Sequence, residues 1–153
     1  MTLPLKGGCQ CGQLRYTINS APRTLYCCHC TECQRQSASA FGMSLRVDTK
    51  SVLLHGRYSA FHRDAGKPNA VECVFCPLCG TRVLHRGRGE DSGSSIKAGT
   101  LDDISWLEPV GHIWTASAQK WVVLEGLTFQ KQPKDNYAAL SEAFKKRHGH
   151  RFS

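Results

Sequence analysis

Leu14, Tyr16 and Ile18 alternate with polar neighbours, and Phe41, Met43, Leu45 and Val47 repeat that pattern over a longer run. A period of two belongs to a strand with one face buried and one face wet. The same reading predicts further short strands at 57–62, 70–75, 81–86, 95–98, 111–114 and 120–124. Gly87 to Ser95 is a loop by composition, because Gly, Asp and Ser supply turns and little to bury. The spacing changes near the end, where Tyr137, Leu140 and Phe144 fall three and four residues apart on one helical face. Asp135 or Asn136 is placed to cap this helix, and Lys145, Lys146 and Arg147 occupy its last turn, where cations are favoured. The pattern predicts a mainly β fold closed by a C-terminal helix.

The 153 residues suffice for a single domain over 1–153, with a core at about 6–123 and a strand and helix extension at 124–153. A content of 41% hydrophobic and 21% charged residues gives no sign of disorder. No apolar run approaches a membrane span, and the start MTLPLKGGC lacks the apolar core of a secretory signal. The expected location is the cytoplasm, where thiols stay reduced. The formal charge of +8 raises the question of nucleic acid. However, Arg15, Arg23, Arg46, Arg57 and Arg63 are scattered, and only Arg82-Arg86-Arg88 and the tail from Lys145 to Arg151 are enriched. These read as a solvated face and a chain end rather than a nucleic-acid surface. A mild positive charge suits small anionic ligands.

The chemistry lies in the cysteines. Nine is an odd number, so a complete set of intrachain disulfides is impossible, and tight clustering is the mark of metal knuckles. Cys9 and Cys11 form a C-x-C followed by Gly12, and Cys76 and Cys79 a C-x-x-C followed by Gly80. Glycine after the last cysteine tolerates the positive φ that lets such a turn fold under a metal. Residues two apart on a strand share a face, so a C-x-C can also present two sulfurs together. These two pairs supply four thiolates, which fill a tetrahedral zinc and leave it closed, the structural pattern. Cys28, Cys30 and Cys33 supply three, which leave a fourth position open, the catalytic pattern. Two zinc ions per chain follow. His29 and Cys27 neighbour these ligands but point to the opposite face of a strand. Cys27 reads as a small core residue, and Cys73, on the alternating run Val71 to Phe75, as a packed thiol.

The chain resembles the family of glutathione-dependent formaldehyde-activating enzymes, whose domain also occurs in centromere protein V. The marks are GGCQCG at 7–12, CHCTEC at 28–33, FCPLCGT at 75–81, AGTLDD at 98–103 and HIW at 112–114, ahead of the Trp121 segment. The resemblance runs from about Lys6 to Val123. It implies an Mss4-like, zinc-stapled β-sheet fold and the same division of ligands: Cys9, Cys11, Cys76 and Cys79 structural, with Cys28, Cys30 and Cys33 at the active metal. It also implies a carbon–sulfur lyase-type activity, with glutathione and formaldehyde condensing to S-hydroxymethylglutathione. Gln34 stands where the family often carries arginine, and Arg35 follows one place later.

An open zinc suits a thiol, because a coordinated thiol is deprotonated outright and becomes nucleophilic. Cations near the site would help to bind the carboxylates of glutathione, Arg35 first by position and Arg82 second. A non-catalytic zinc-binding module that carries a thiol or docks a protein is the competing class. A zinc-ribbon nucleic-acid binder is a third, and the surplus cysteines and AGTLDD argue against it.

Overall fold

The structure is a computed structural model describing residues 2–68, 70–87 and 93–152. Its strands are β1 (Leu5–Gly8), β2 (Arg15–Ile18), β3 (Thr24–Cys28), β4 (Gly42–Val47), β5 (Val52–His55), β6 (Ser59–Arg63), β7 (Val71–Phe75), β8 (Arg82–Gly87), β9 (Ser94–Lys97), β10 (Gly111–Ile113) and β11 (Leu127–Phe129). Two α-helices join them, α1 (Thr31–Ser37) and α2 (Ala138–His148). The fold is mainly β and carries the helix expected at the C-terminus.

Among the described residues the strands form two sheets. The smaller has the order β1-β2-β5, and the larger has the order β11-β10-β3-β4-β9-β8-β7-β6. Pairing is antiparallel except for β11 with β10 and β10 with β3.

The alternation seen in the sequence sorts the larger sheet into two faces. Leu45, Ile96, Leu84 and Val74 lie side by side across β4, β9, β8 and β7, and all are fully buried. Removing each such side chain from water contributes roughly 1.5–3 kcal/mol. The opposite face carries a polar row in the same register: Arg46 opposite Ser95, Ser95 opposite His85, His85 opposite Cys73. That polar face holds the site.

The C-terminal helix packs on β3. Leu140 and Phe144 are buried, Tyr137 stacks on Tyr26 at 5.3 Å, and Thr24 Oγ1 donates to the Leu140 carbonyl at 3.0 Å. The N-cap position itself is Tyr137, and the Asp135 carboxylate, two residues before it, accepts from the backbone N–H groups of Tyr137 and Ala139 at the start of the helix. The AGTLDD segment ties the sheets together. Thr100 Oγ1 is 2.8 Å from Tyr16 Oη, Asp102 pairs with Arg15, and Leu101 bridges to Gly7.

Two expectations need correction, and one helix is additional. Residues 120–124 are not a strand: Trp121 and Val123 alternate in sequence, yet both are exposed, at 72% and 76%. The chain enters the sheet later, after Gly126 at φ +80, where a Cβ would meet the Val110 carbonyl at 2.6 Å. Helix α1 was not expected, since Cys33 is its one buried residue and no apolar period announces it. Cys9 and Cys11 follow β1 in a turn rather than sharing a strand face. Of the predicted loop, the stretch 88–92, which includes Arg88, lies outside the described residues; β8 runs to Gly87 and β9 begins at Ser94.

Candidate metal centres and the adjoining cleft

Two groups of cysteines converge. The Sγ atoms of Cys9, Cys11, Cys76 and Cys79 all lie within 4.8 Å of one another, and so do those of Cys28, Cys30 and Cys33. Each group could hold a metal ion.

The first group is built from two turns of one design. Cys9 N–H donates to the Leu14 carbonyl and Cys76 N–H to the Thr81 carbonyl, each closing a loop around its pair. Gly12 at φ +80 and Gly80 at φ +74 complete the turns. Nothing lies within 4 Å of a Cβ at either, so backbone conformation and not space calls for glycine. Sulfurs receive further donors: Leu14 N–H reaches Cys9 Sγ at 3.2 Å, and Thr81 Oγ1 lies 3.2 Å from Cys79 Sγ. The Thr81 hydroxyl is the main cause pulling the Cys79 thiol down to about 5.

The second group spans three kinds of backbone. Cys28 ends β3, Cys30 is the N-cap of α1, and Cys33 lies within that helix. Cys33 N–H donates to Cys30 Sγ at 3.4 Å. Opposite Cys28 on β4 stands Gly42, where a Cβ would come within 3.3 Å of Cys33 Cβ. The missing side chain leaves room for the sulfur cluster. Contacts from Cys28 and then Cys33 pull Cys30 down to about 2, and the contact with Cys30 drives Cys28 the other way. Like charges this close oppose one another's ionisation, and a cation among the sulfurs would relieve that opposition.

The loop between Cys28 and Cys30 is clamped from behind. The His29 carbonyl accepts from Gln34 Nε2 at 2.7 Å and from Ser117 Oγ at 2.9 Å. The His29 ring turns away from the sulfurs and meets His112, Nε2 to Nδ1, at 2.8 Å. This gives HIW a purpose: His112 and Ile113 pair with Cys27 and Cys28 and hold the end of β3 in place. Cys27 and Cys73 are buried and outside both sulfur groups. Burial alone pushes the Cys27 thiol up to about 12, so it stays neutral.

Cys30 opens onto a cleft of about 890 Å³. Arg46, Arg63, Arg86 and His85 bring nitrogen to its wall, Ser95 and Ser117 bring hydroxyls, and Trp114 and Tyr137 bring aromatic surface. Arg86 is held by Glu72 at 2.5 Å, while Arg46 lies over the Tyr137 ring at 4.6 Å. Burial, followed by Lys97 and the arginines 63, 82 and 46, pushes His85 well below its ordinary value. Arg35 is exposed on α1 and lines an adjoining, smaller pocket of about 220 Å³ with Arg82 and Cys73, and Arg63 borders both this pocket and the cleft. The cleft arginines, Arg46 on β4, Arg63 on β6 and Arg86 on β8, were missed in the sequence because a polar strand position reads equally well as a solvent face.

Three buried polar atoms near the second cluster, His29 Nδ1, Ser44 Oγ and Lys97 Nζ, have no hydrogen-bond partner among the described residues, and Lys97 alone of them can carry a full positive charge at neutral pH. Lys97 is 7% exposed, and its Nζ makes no hydrogen bond to any described residue. Burial draws its pKa below the ordinary lysine value, and the Cys33 sulfur opposes that shift.

A crystal structure of a Rhodobacter sphaeroides protein aligns with a TM-score of 0.53 at 15% identity, covering 65% of this chain and 90% of that one. At that identity the likeness shows the fold. None of the curated protein sequences compared with the chain matches it. No helix of the described residues is long and apolar enough to cross a membrane. Residues 4–117 match the family model described as glutathione-dependent formaldehyde-activating enzyme, a span that includes every cysteine of both sulfur groups. The chain belongs to the glutathione-dependent formaldehyde-activating enzyme family.

Proposed function

We propose that the chain holds two zinc ions and acts on glutathione or a related thiol in a carbon–sulfur bond-forming reaction. Cys9, Cys11, Cys76 and Cys79 offer four sulfurs and hold a closed, structural ion. Cys28, Cys30 and Cys33 offer three and leave one position for the substrate sulfur. The observation that carries this reading is that Cys30 both belongs to the three-sulfur group and lines the large cleft.

A zinc ion in the three-sulfur group would supply Lewis acidity and keep a fourth-ligand thiol deprotonated. The protein's own residues do the rest. Arg63 and Arg46 present positive charge to the carboxylates of the thiol. Gln34, Ser117 and His112 fix the loop from which the sulfurs project, so the cluster is organised before substrate arrives. In the reaction the thiolate sulfur forms a bond to the carbonyl carbon of formaldehyde. The π pair of the C=O bond moves to oxygen, which takes up the proton the thiol released. The product is an S-hydroxymethyl thioether.

Calorimetry with S-methylglutathione tests the reading. This compound keeps the charges of glutathione but cannot form a thiolate, so it binds much more weakly, and glutathione binding releases a proton seen as a buffer-dependent heat. Equal affinity for the two compounds contradicts sulfur ligation. A rate of S-hydroxymethylglutathione formation no greater than that of the uncatalysed reaction contradicts the enzymatic assignment.

A further inference from the structure

Lys97 sits in the row of the sheet next to the second sulfur group. Cys28 pairs with Gly42, and two residues along β4 Ser44 pairs with Lys97. Residues two apart on a strand share a face about 7 Å apart, so the side chain of Lys97 springs from the face that carries Cys28. Gly42 and Lys97 also line one cavity of about 460 Å³, on the flank where Cys33 Sγ lies 3.7 Å from a Cβ placed at Gly42. Lys97 is more than nine-tenths buried, and its Nζ is buried and hydrogen-bonds to no described residue. A buried charge left this way is costly unless an opposite charge faces it.

The sulfur group supplies that opposite charge. Three thiolates carry one more negative charge than a divalent cation neutralises, and an incoming thiolate adds another. We infer that Lys97 is the buried counter-charge of the Cys28–Cys30–Cys33 cluster and biases its open position toward an anionic sulfur ligand over a neutral one. Lys97 is a positioning residue in this role: it acts on the ligand through the charge of the cluster and does not touch the reacting atoms. The inference rests on the proposed reading of these three cysteines as a metal site.

The test uses the full-length protein loaded with cobalt, whose visible absorption reports ligands at the open cluster. The cobalt protein is titrated separately with 2-mercaptoethanol and with imidazole, in the unaltered protein and in Lys97→Met and Lys97→Gln. The neutral variants are expected to weaken the thiol by roughly tenfold or more while imidazole changes little, the size typical of outer-sphere partners of a metal. Metal retained at the four-cysteine site reports that each variant is folded. Equal loss for both ligands, or no loss for either, overturns the role of Lys97. Failure of the unaltered protein to take cobalt at the three cysteines overturns the metal reading itself, and the inference with it.

Discussion

The sulfurs of Cys11 and Cys76 lie 3.7 Å apart although 65 positions separate them in the chain. One belongs to the turn after β1 in the smaller sheet, the other to the turn after β7 in the larger. A metal held between them would join the two sheets, so its loss would strike the fold. The three-sulfur group is different. Its members fall between Cys28 and Cys33, and the clamp on His29 holds their loop without a metal.

Cys79→Ser should therefore cost stability while Cys30→Ser should mainly cost ligand binding. For Cys79→Ser the expected loss is at least about 3 kcal/mol, since metal-binding energy in such sites is folding energy. That loss lowers Tm by roughly 6–12 °C in a chain of this size. Thermal melts of both variants, with zinc counted by elemental analysis, check the division. A similar fall in Tm for Cys30→Ser contradicts it.

The glycines that close the four-sulfur turns are there for their backbone angle. Gly12→Ala and Gly80→Ala should each cost about 1–2 kcal/mol, the penalty for a left-handed L-residue. Gly12→Asn should cost less, because asparagine enters that region more readily. Chemical denaturation of the zinc-loaded variants measures the order.

His85 makes stability depend on pH. Its folded pKa lies below the unfolded value of 6.5, because burial and the charges of Lys97, Arg63, Arg82 and Arg46 resist protonation. The unfolded state then binds the proton more readily, so this contribution is present above pH 6.5 and is lost as pH falls below it. His85→Gln should flatten the fall in Tm between pH 7.5 and pH 5.5. An unchanged slope would remove His85 as its source.

Arg63 and Arg35 should differ in effect. Arg63 lines the cleft that Cys30 enters, whereas Arg35 faces the smaller pocket alongside. Arg63→Met should weaken glutathione binding by roughly tenfold, the size of a lost charge-assisted hydrogen bond. Arg35→Met should weaken it by less. Calorimetric titration of the two variants ranks them.

The cysteine groups were legible because ligand spacing and the following glycines leave a local mark, and Gly12 and Gly80 adopt the positive φ that mark requires. The C-terminal helix was legible for a similar reason: Leu140 and Phe144 repeat at helical spacing and are buried. Helix α1 was not, since its seven residues bury Cys33 alone and are fixed by capping and by contacts with β4. Trp121 and Val123 misled because alternation records a preference for burial that tertiary structure does not satisfy there. Arg46, His85 and Lys97 escaped because a polar strand position looks the same whether it meets bulk water or a cleft. Their meaning depends on which strands become neighbours, and only the register of β4, β8 and β9 fixes that.

Zinc-edge X-ray absorption on the two-zinc protein, with and without glutathione, addresses the central claim most directly. One closed four-sulfur ion and one three-sulfur ion with an open position predict a mean sulfur coordination below four, rising to four when glutathione is added. A mean of four before glutathione, or no rise after it, would contradict an open zinc that takes the substrate sulfur.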